Sequence, residues 1–139
     1  MRMQQTARPL PVTIVSIALL LFGLAAALGS LFLWGQGFLL SFPANMDYRM
    51  PIADLLVNAP ASLMAAFGLW RMRRYGYVAA QFVAGFYTYA SVEIFVAVAQ
   101  GALPGSAAIL APQIVAVGVA ALLVLYLWRI QDLFGARAS

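Results

Sequence analysis

The chain has no cysteine, no histidine and no lysine among its 139 residues, and only four acidic side chains. Without cysteine there are no disulfides, no thiol chemistry and no iron–sulfur ligation. Without histidine the commonest ligand of zinc, copper and haem is gone. No cofactor and no metal is therefore expected. No Gly-rich phosphate loop, nucleophile elbow or metal-ligand spacing argues otherwise, so no catalytic residue is singled out. Charge of either sign is scarce: charged residues make up 9% of the chain and hydrophobic ones 65%, with a mean hydropathy of +0.93. A water-soluble domain carries about 25% charged and roughly 45–50% apolar residues. This chain lacks the polar surface to cover a core in water, and it belongs in a bilayer. Its length allows one compact domain over residues 1–139. The net charge of +4 comes from eight basic residues, all arginine. They lie at the ends of apolar segments, where membrane topology accounts for them better than nucleic acid does, so no nucleic-acid partner is expected. Arginine to the exclusion of lysine, with abundant alanine, points to a GC-rich bacterial genome and hence to the bacterial inner membrane.

What the chain has in quantity is long apolar runs. About 20 residues of helix cross the hydrocarbon core, and four stretches qualify: about 12–34, 51–70, 77–99 and 106–128. The connections between them are short, which predicts an all-α, up-down-up-down antiparallel four-helix bundle. Arg2 and Arg8 precede the first span, Arg71, Arg73 and Arg74 fill "RMRRYG", and Arg129 and Arg137 follow the fourth. Four crossings put these seven on one side, and the bias of arginine toward the cytoplasm places both termini there. Trp70, Tyr75, Tyr77, Tyr126 and Trp128 fall at that interface, and Trp34 and Tyr48 at the other, as amphipathic rings do at headgroup depth. The first 30 residues also have the layout of a secretory signal, with a small-residue site at Ala25–Ala27. The apolar run continues past that site to Trp34, so a retained first helix is expected. Small residues recur four apart at Gly23 and Ala27, Ala61 and Ala65, Ala80 and Ala84, and Ala116 and Ala120, a spacing that lets membrane helices approach closely.

Against this background "MDYRMPIADLLVNAP", residues 46–60, stands out because it gathers Asp47, Arg49 and Asp54, with Asn58 one turn further. At 1.5 Å per residue Asp54 lies about 5 Å and Asn58 about 10 Å below the outer boundary. Glu93 and Gln113 fall at a similar depth in the third and fourth spans. Pro60 and Pro112 each remove a backbone donor in the same half, which frees the carbonyls of Leu56 and Ala108. A carboxylate in hydrocarbon normally faces the protein interior or water and finds a partner. Glu93 is thus expected to point inward, toward Asn58 and Gln113, with Tyr89 one turn away as its hydroxyl donor. The candidate ligand-binding residues are Glu93, Asn58, Asp54, Tyr89, Gln113 and Arg49, lining a pocket open to the outer side. A plainer reading stands beside this one: the same groups satisfy one another and hold the helices in register. Asp54 also fits as a helix-entry acid, with Arg49 as its partner.

The block "ADLLVNAPASLMAAFGLWRMRRYGY", residues 53–77, resembles a pattern in small bacterial four-helix inner-membrane proteins. In those proteins an acidic residue and a proline precede an apolar run ending in Leu-Trp-Arg and then Gly-Tyr. The resemblance covers about 25 residues and implies the four-helix architecture and nothing catalytic. In general layout the chain is also similar to membrane sterol isomerases and related ligand-binding four-helix proteins, but their residue pattern is not reproduced, so no functional residue is carried over. The expected function is a non-enzymatic multi-pass membrane protein whose polar pocket binds a small amphipathic or cationic ligand or a lipid headgroup, in transport or sensing. Its partners would be membrane lipids, such a ligand, and a second copy or another membrane protein. An accessory subunit of a larger membrane complex is the alternative. A lipid-modifying enzyme using Glu93 with Asp54 is a third reading.

Overall fold

The computed structural model describes residues 8–37 and 51–135. Arg2, Asp47, Tyr48, Arg49 and Arg137 lie outside the described residues. Within them the chain is helical and no strand occurs: α1 (Leu10–Gly35), α2 (Pro51–Trp70), α3 (Arg74–Ala99), α4 (Ala107–Arg129) and a short α5 (Asp132–Gly135). Helices α1 to α4 are each long and apolar enough to cross a membrane. Their ends fall within a turn of the spans read from hydropathy. Uninterrupted apolar runs of this length, broken by Gly, Pro and Arg, leave little freedom in where a helix starts and stops.

Helices α1 and α2, α2 and α3, and α3 and α4 pack as neighbours, whereas α1 and α4 are not among the closely packed pairs. The helices thus follow one another as a row, with α2 in the middle of the packing. In the most apolar window of α2 39% of residues are buried, against 6% in α4. The apolar core gathers toward the end of the molecule that carries the 71–73 turn, from Val12 and Leu19 of α1, Ala65, Ala66 and Leu69 of α2, Ala80 and Val83 of α3 and Leu127 of α4. Phe134 of α5 folds back into the same cluster, its ring 5.7 Å from that of Tyr77.

Two reversals make this packing. After α3, Gly101 takes a left-handed conformation (φ 75°), and the amides of Ala102 and Gly101 donate back to the carbonyls of Ala97 and Val98. That is the usual glycine-terminated helix end. After α2 the same pattern is built on Met72 (φ 53°), with Arg73 donating to Gly68 and Met72 to Leu69. A left-handed methionine costs about 1–2 kcal/mol. Burial of its side chain in the core offsets that cost. The turn brings α2 and α3 into backbone contact at Gly68 and Gly76: a Cβ on Gly68 would lie 2.2 Å from the Gly76 Cα, and one on Gly76 2.1 Å from the Gly68 carbonyl carbon.

Arg8 ties the start of α1 to the end of α2. Its Nε donates to Thr13 Oγ1 (2.8 Å), its Nη1 donates to the Trp70 carbonyl (2.7 Å), and its guanidinium lies 3.7 Å from the Trp70 ring centroid. One side chain thus caps a carbonyl at the negative end of a helix and stacks on an indole. Sequence reading assigned Arg8 to topology alone. Its structural role depends on a residue 62 positions away that no local pattern connects to it.

Gly76→Ala should destabilise the protein by about 3 kcal/mol or more, because a methyl group at that position must push two backbones apart. Gly118→Ala, whose Cβ meets nothing within 4 Å, should instead leave stability unchanged or raise it by about 0.5–1 kcal/mol. Thermal unfolding of the two variants in the same detergent checks the contrast.

Candidate functional site

Pro60 determines the local shape of α2. Proline supplies no amide hydrogen, and the turn before it, Asp54–Asn58, is wound one residue wider than an α-helix, with the Ala59 amide donating to the Asp54 carbonyl. Such widened turns recur beside functional side chains. The disturbance expected around Leu56 thus takes the form of a widened turn. Pro112 lies within a regular stretch of α4 and causes no equivalent widening.

The widened turn packs against α1 and buries Asn58, which is 3% exposed. Its Nδ2 donates to Asp54 Oδ1 (3.0 Å) and to Tyr87 Oη (3.2 Å) of α3, and Ser62 Oγ donates to its Oδ1 (3.1 Å). An amide offers two donor hydrogens and one acceptor oxygen. This arrangement occupies both hydrogens and faces the oxygen to a hydroxyl, so the amide has one sensible orientation. One turn along α3, buried Ser91 donates to Gln113 Oε1 (3.2 Å) of α4. Polar links therefore join α2 to α3 and α3 to α4.

Glu93 does not belong to this layer. It is exposed, as is Tyr89 (63%), whose hydroxyl donates to Glu93 Oε1. The Tyr89–Glu93 pairing expected from their spacing is present, but on the outer face of α3, away from Asn58. The reason is helical geometry: Tyr87 and Tyr89 point about 160° apart on one helix. The buried face of α3 runs through Gly76, Ala80, Val83, Ala84, Ser91 and Ile94. Extending the Ala80–Ala84 stripe by three and seven residues leads to Tyr87 and Ser91, not to Tyr89 and Glu93. That stripe was the signal available in the sequence for Tyr87 and Ser91, and Ser62 carries a similar one, a turn beyond Asn58 and a turn before Ala65 and Ala66. Of the candidate residues, the structure brings together Asp54 and Asn58, links Gln113 to the layer's edge through Ser91, and sets Tyr89 and Glu93 apart. Arg49 lies outside the described residues. Asp54 and Glu93, the pair an acid–base reading needs, are bonded into separate clusters. Among the described residues no group of His, Cys, Asp or Glu could hold a metal ion.

Tyr87 also opens onto a cavity. Its ring meets Phe22 of α1 (6.1 Å between centroids) and Phe86 (6.0 Å, edge-on). Together with Leu19 and Phe22 it lines a half-open groove of about 340 Å³ between α1 and α4, floored by Val83 and Ala84 and closed on the far side by Pro112, Val119 and Leu123. The groove is the direct result of α1 and α4 not meeting. Its volume falls in the range of small-ligand sites, roughly 300–1,000 Å³. Its walls are apolar, and the Tyr87 hydroxyl connects it to Asn58 and Asp54.

In comparisons with known protein families, curated proteins and solved structures, none matches this chain.

Asn58→Ala should lower stability by about 1–3 kcal/mol, since it strands the buried Ser62 hydroxyl and one side of Tyr87. Glu93→Gln, on an exposed face, should change it by no more than about 0.5 kcal/mol. Equal losses in denaturant titrations of the two variants would mean that Glu93 shares the interior layer after all.

Proposed function

We infer that this chain is a non-enzymatic, multi-pass protein of the bacterial inner membrane that binds a small amphipathic or cationic molecule, or a lipid. Its hydrocarbon lies in the groove between α1 and α4, and its polar head meets the Tyr87 hydroxyl, which is linked through Asn58 to Asp54. The observation that carries this reading is the single hydrogen-bond chain running from an apolar groove through Tyr87 and Asn58 to a carboxylate. An apolar wall with a few convergent polar groups at one end is the general form of an amphiphile site. Asp54 gives the polar end a preference for cationic or hydrogen-donating heads over anionic ones. Transport or sensing would follow from exchange of that ligand with the bilayer.

The proposed topology is up-down-up-down with both termini and the 71–73 turn in the cytoplasm and the Asp54 end facing outward. Two contacts support it: Arg8 reaches the Trp70 carbonyl, and Arg74, Tyr77, Gln131 and Asp132 share one pocket. Arg8 before α1 and Arg74 at the start of α3 thus lie at one end of the molecule, with the end of α4 beside them, as the charge bias of inner-membrane proteins favours. Kinship with small four-helix inner-membrane proteins stays part of this proposal and rests on the 53–77 pattern. A second reading, an accessory subunit, draws on α4, which buries only Ala120 and Leu127 and leaves the rest of its surface for a partner helix.

Single-chain amphiphiles of equal tail length test the ligand reading. An alkylammonium should raise the unfolding temperature more than the matching alcohol, and the matching fatty acid least. At a hundredfold excess over its Kd the stabilisation amounts to about 2.7 kcal/mol. Ala116→Phe, which fills the groove from α4, should fold and lose the response. A response that survives Ala116→Phe, or that ranks the fatty acid first, contradicts the reading.

A further inference from the structure

The exposed Tyr89–Glu93 pair needs its own explanation, because a lipid-facing carboxylate is expensive inside hydrocarbon and usually marks a functional position. Its depth follows from helix length. The 26 residues of α3 span about 39 Å against a hydrocarbon thickness of about 30 Å, so each end protrudes by roughly 4–5 Å. Glu93 lies six residues before the helix end at Ala99, or about 9 Å along the axis. Its backbone is therefore only about 4–5 Å beneath the hydrocarbon boundary, within reach of a headgroup. The side chain is exposed, and the Tyr89 hydroxyl holds one of its oxygens in place.

Below this pair a second groove begins. It has a volume of about 650 Å³ and runs between α3 and α4 on the side opposite the first, with Tyr89 at one end and Gln81 at the other. From Glu93 to Gln81 is about 18 Å along the helix. Gly85 forms part of the floor, and a Cβ there would meet nothing within 4 Å. Thr88 presents no free donor to the groove, since its hydroxyl donates to the Ala84 carbonyl of its own helix. Ala120, Ala121 and Leu125 form the α4 wall. The arrangement is a carboxylate at headgroup depth above an apolar trough of acyl-chain dimensions.

We propose that the α3–α4 face is a lipid site specific for a zwitterionic phospholipid with a primary ammonium headgroup, its ammonium hydrogen-bonded to Glu93 and one acyl chain lying in the groove past Tyr89 and Gly85. Charge complementarity selects the occupant: an anionic headgroup is repelled, and a trimethylated ammonium has no hydrogen to donate to the carboxylate. Glu93 sets the headgroup preference, and the exposed position of the pair leaves the fold independent of it. The site is separate from the α1–α4 groove and shares no polar residue with it.

Native mass spectrometry of the detergent-purified full chain, titrated with phosphatidylethanolamine, phosphatidylcholine and phosphatidylglycerol of identical short chains, tests the proposal. The wild type should bind phosphatidylethanolamine at least tenfold more tightly than either of the others. Glu93→Gln should abolish that preference, and Ala116→Phe, which fills only the other groove, should retain it. Gly85→Leu should fold with an unchanged unfolding temperature and bind phosphatidylethanolamine at least tenfold more weakly. Equal binding of the three lipids by the wild type, or a preference that survives Glu93→Gln, overturns the proposal. So does a preference lost in Ala116→Phe but kept in Glu93→Gln. Unchanged affinity in Gly85→Leu removes the groove as the seat of the chain and overturns it too.

Discussion

A single buried amide organises the half of the molecule where function is proposed. In hydrocarbon every polar group must find its partner within the protein. Asn58 meets that constraint by bonding Asp54, Ser62 and Tyr87 together. The amide reaches Tyr87 of α3 from a turn that packs against α1, and that cover keeps it buried. The widened turn before Pro60 is the backbone's accommodation to the same demand. Net energies of such membrane hydrogen bonds are small, averaging about 0.6 kcal/mol. Their effect on register is larger than their effect on stability, because each alternative alignment leaves a buried donor or acceptor unpaired.

The two ends of the molecule differ in packing. At the 71–73 turn, Gly68 and Gly76 place two backbones in contact, Arg8 caps and stacks on the neighbouring helix end, and Phe134 closes the core. Toward the Asn58 end the residues between helices are large: the rings of Phe22 on α1 and Tyr87 on α3 meet with their centroids 6.1 Å apart. A row of helices that is tight at one end and spread by rings at the other leaves grooves in its flanks. Helix α4, attached mainly through Leu127, Ala120 and the Ser91–Gln113 bond, borders both of them. Ligand access and mechanical looseness therefore reside in the same element.

The spans were readable from the sequence because hydropathy over 20 residues is a sum, and sums tolerate local error. Pro51, Trp70, Gly101 and the arginines marked the ends closely. The direction of single side chains was harder to read. Counting from the segment ends placed Glu93 level with Asn58, whereas Asn58 bonds Tyr87, six residues further from that end of α3; and depth says nothing about azimuth, since a helix can present either Tyr87 or Tyr89 to its neighbour. Only the small-residue stripe through Ala80 and Ala84 distinguished them. Asp54 with Asn58, and Tyr89 with Glu93, were visible as pairs because a spacing of four puts both members on one face. The Asn58–Tyr87, Arg8–Trp70 and Gly68–Gly76 contacts were not, since each depends on how two helices slide past each other. Met72 in a left-handed turn had no signature at all, because glycine is the usual residue there.

The account depends most on the groove between α1 and α4 being open to hydrocarbon. Photolabelling of the full chain in a bilayer with an amphiphile carrying a diazirine in its tail, mapped by peptide mass spectrometry, measures this directly. The account predicts adducts concentrated on Tyr87, Ala116 and Leu123, which line the groove, above those on outward-facing Leu21, Leu28 and Leu122. Adducts spread evenly over the outward-facing residues and missing from Tyr87 and Ala116 would show α1 and α4 closed against each other, and would contradict it.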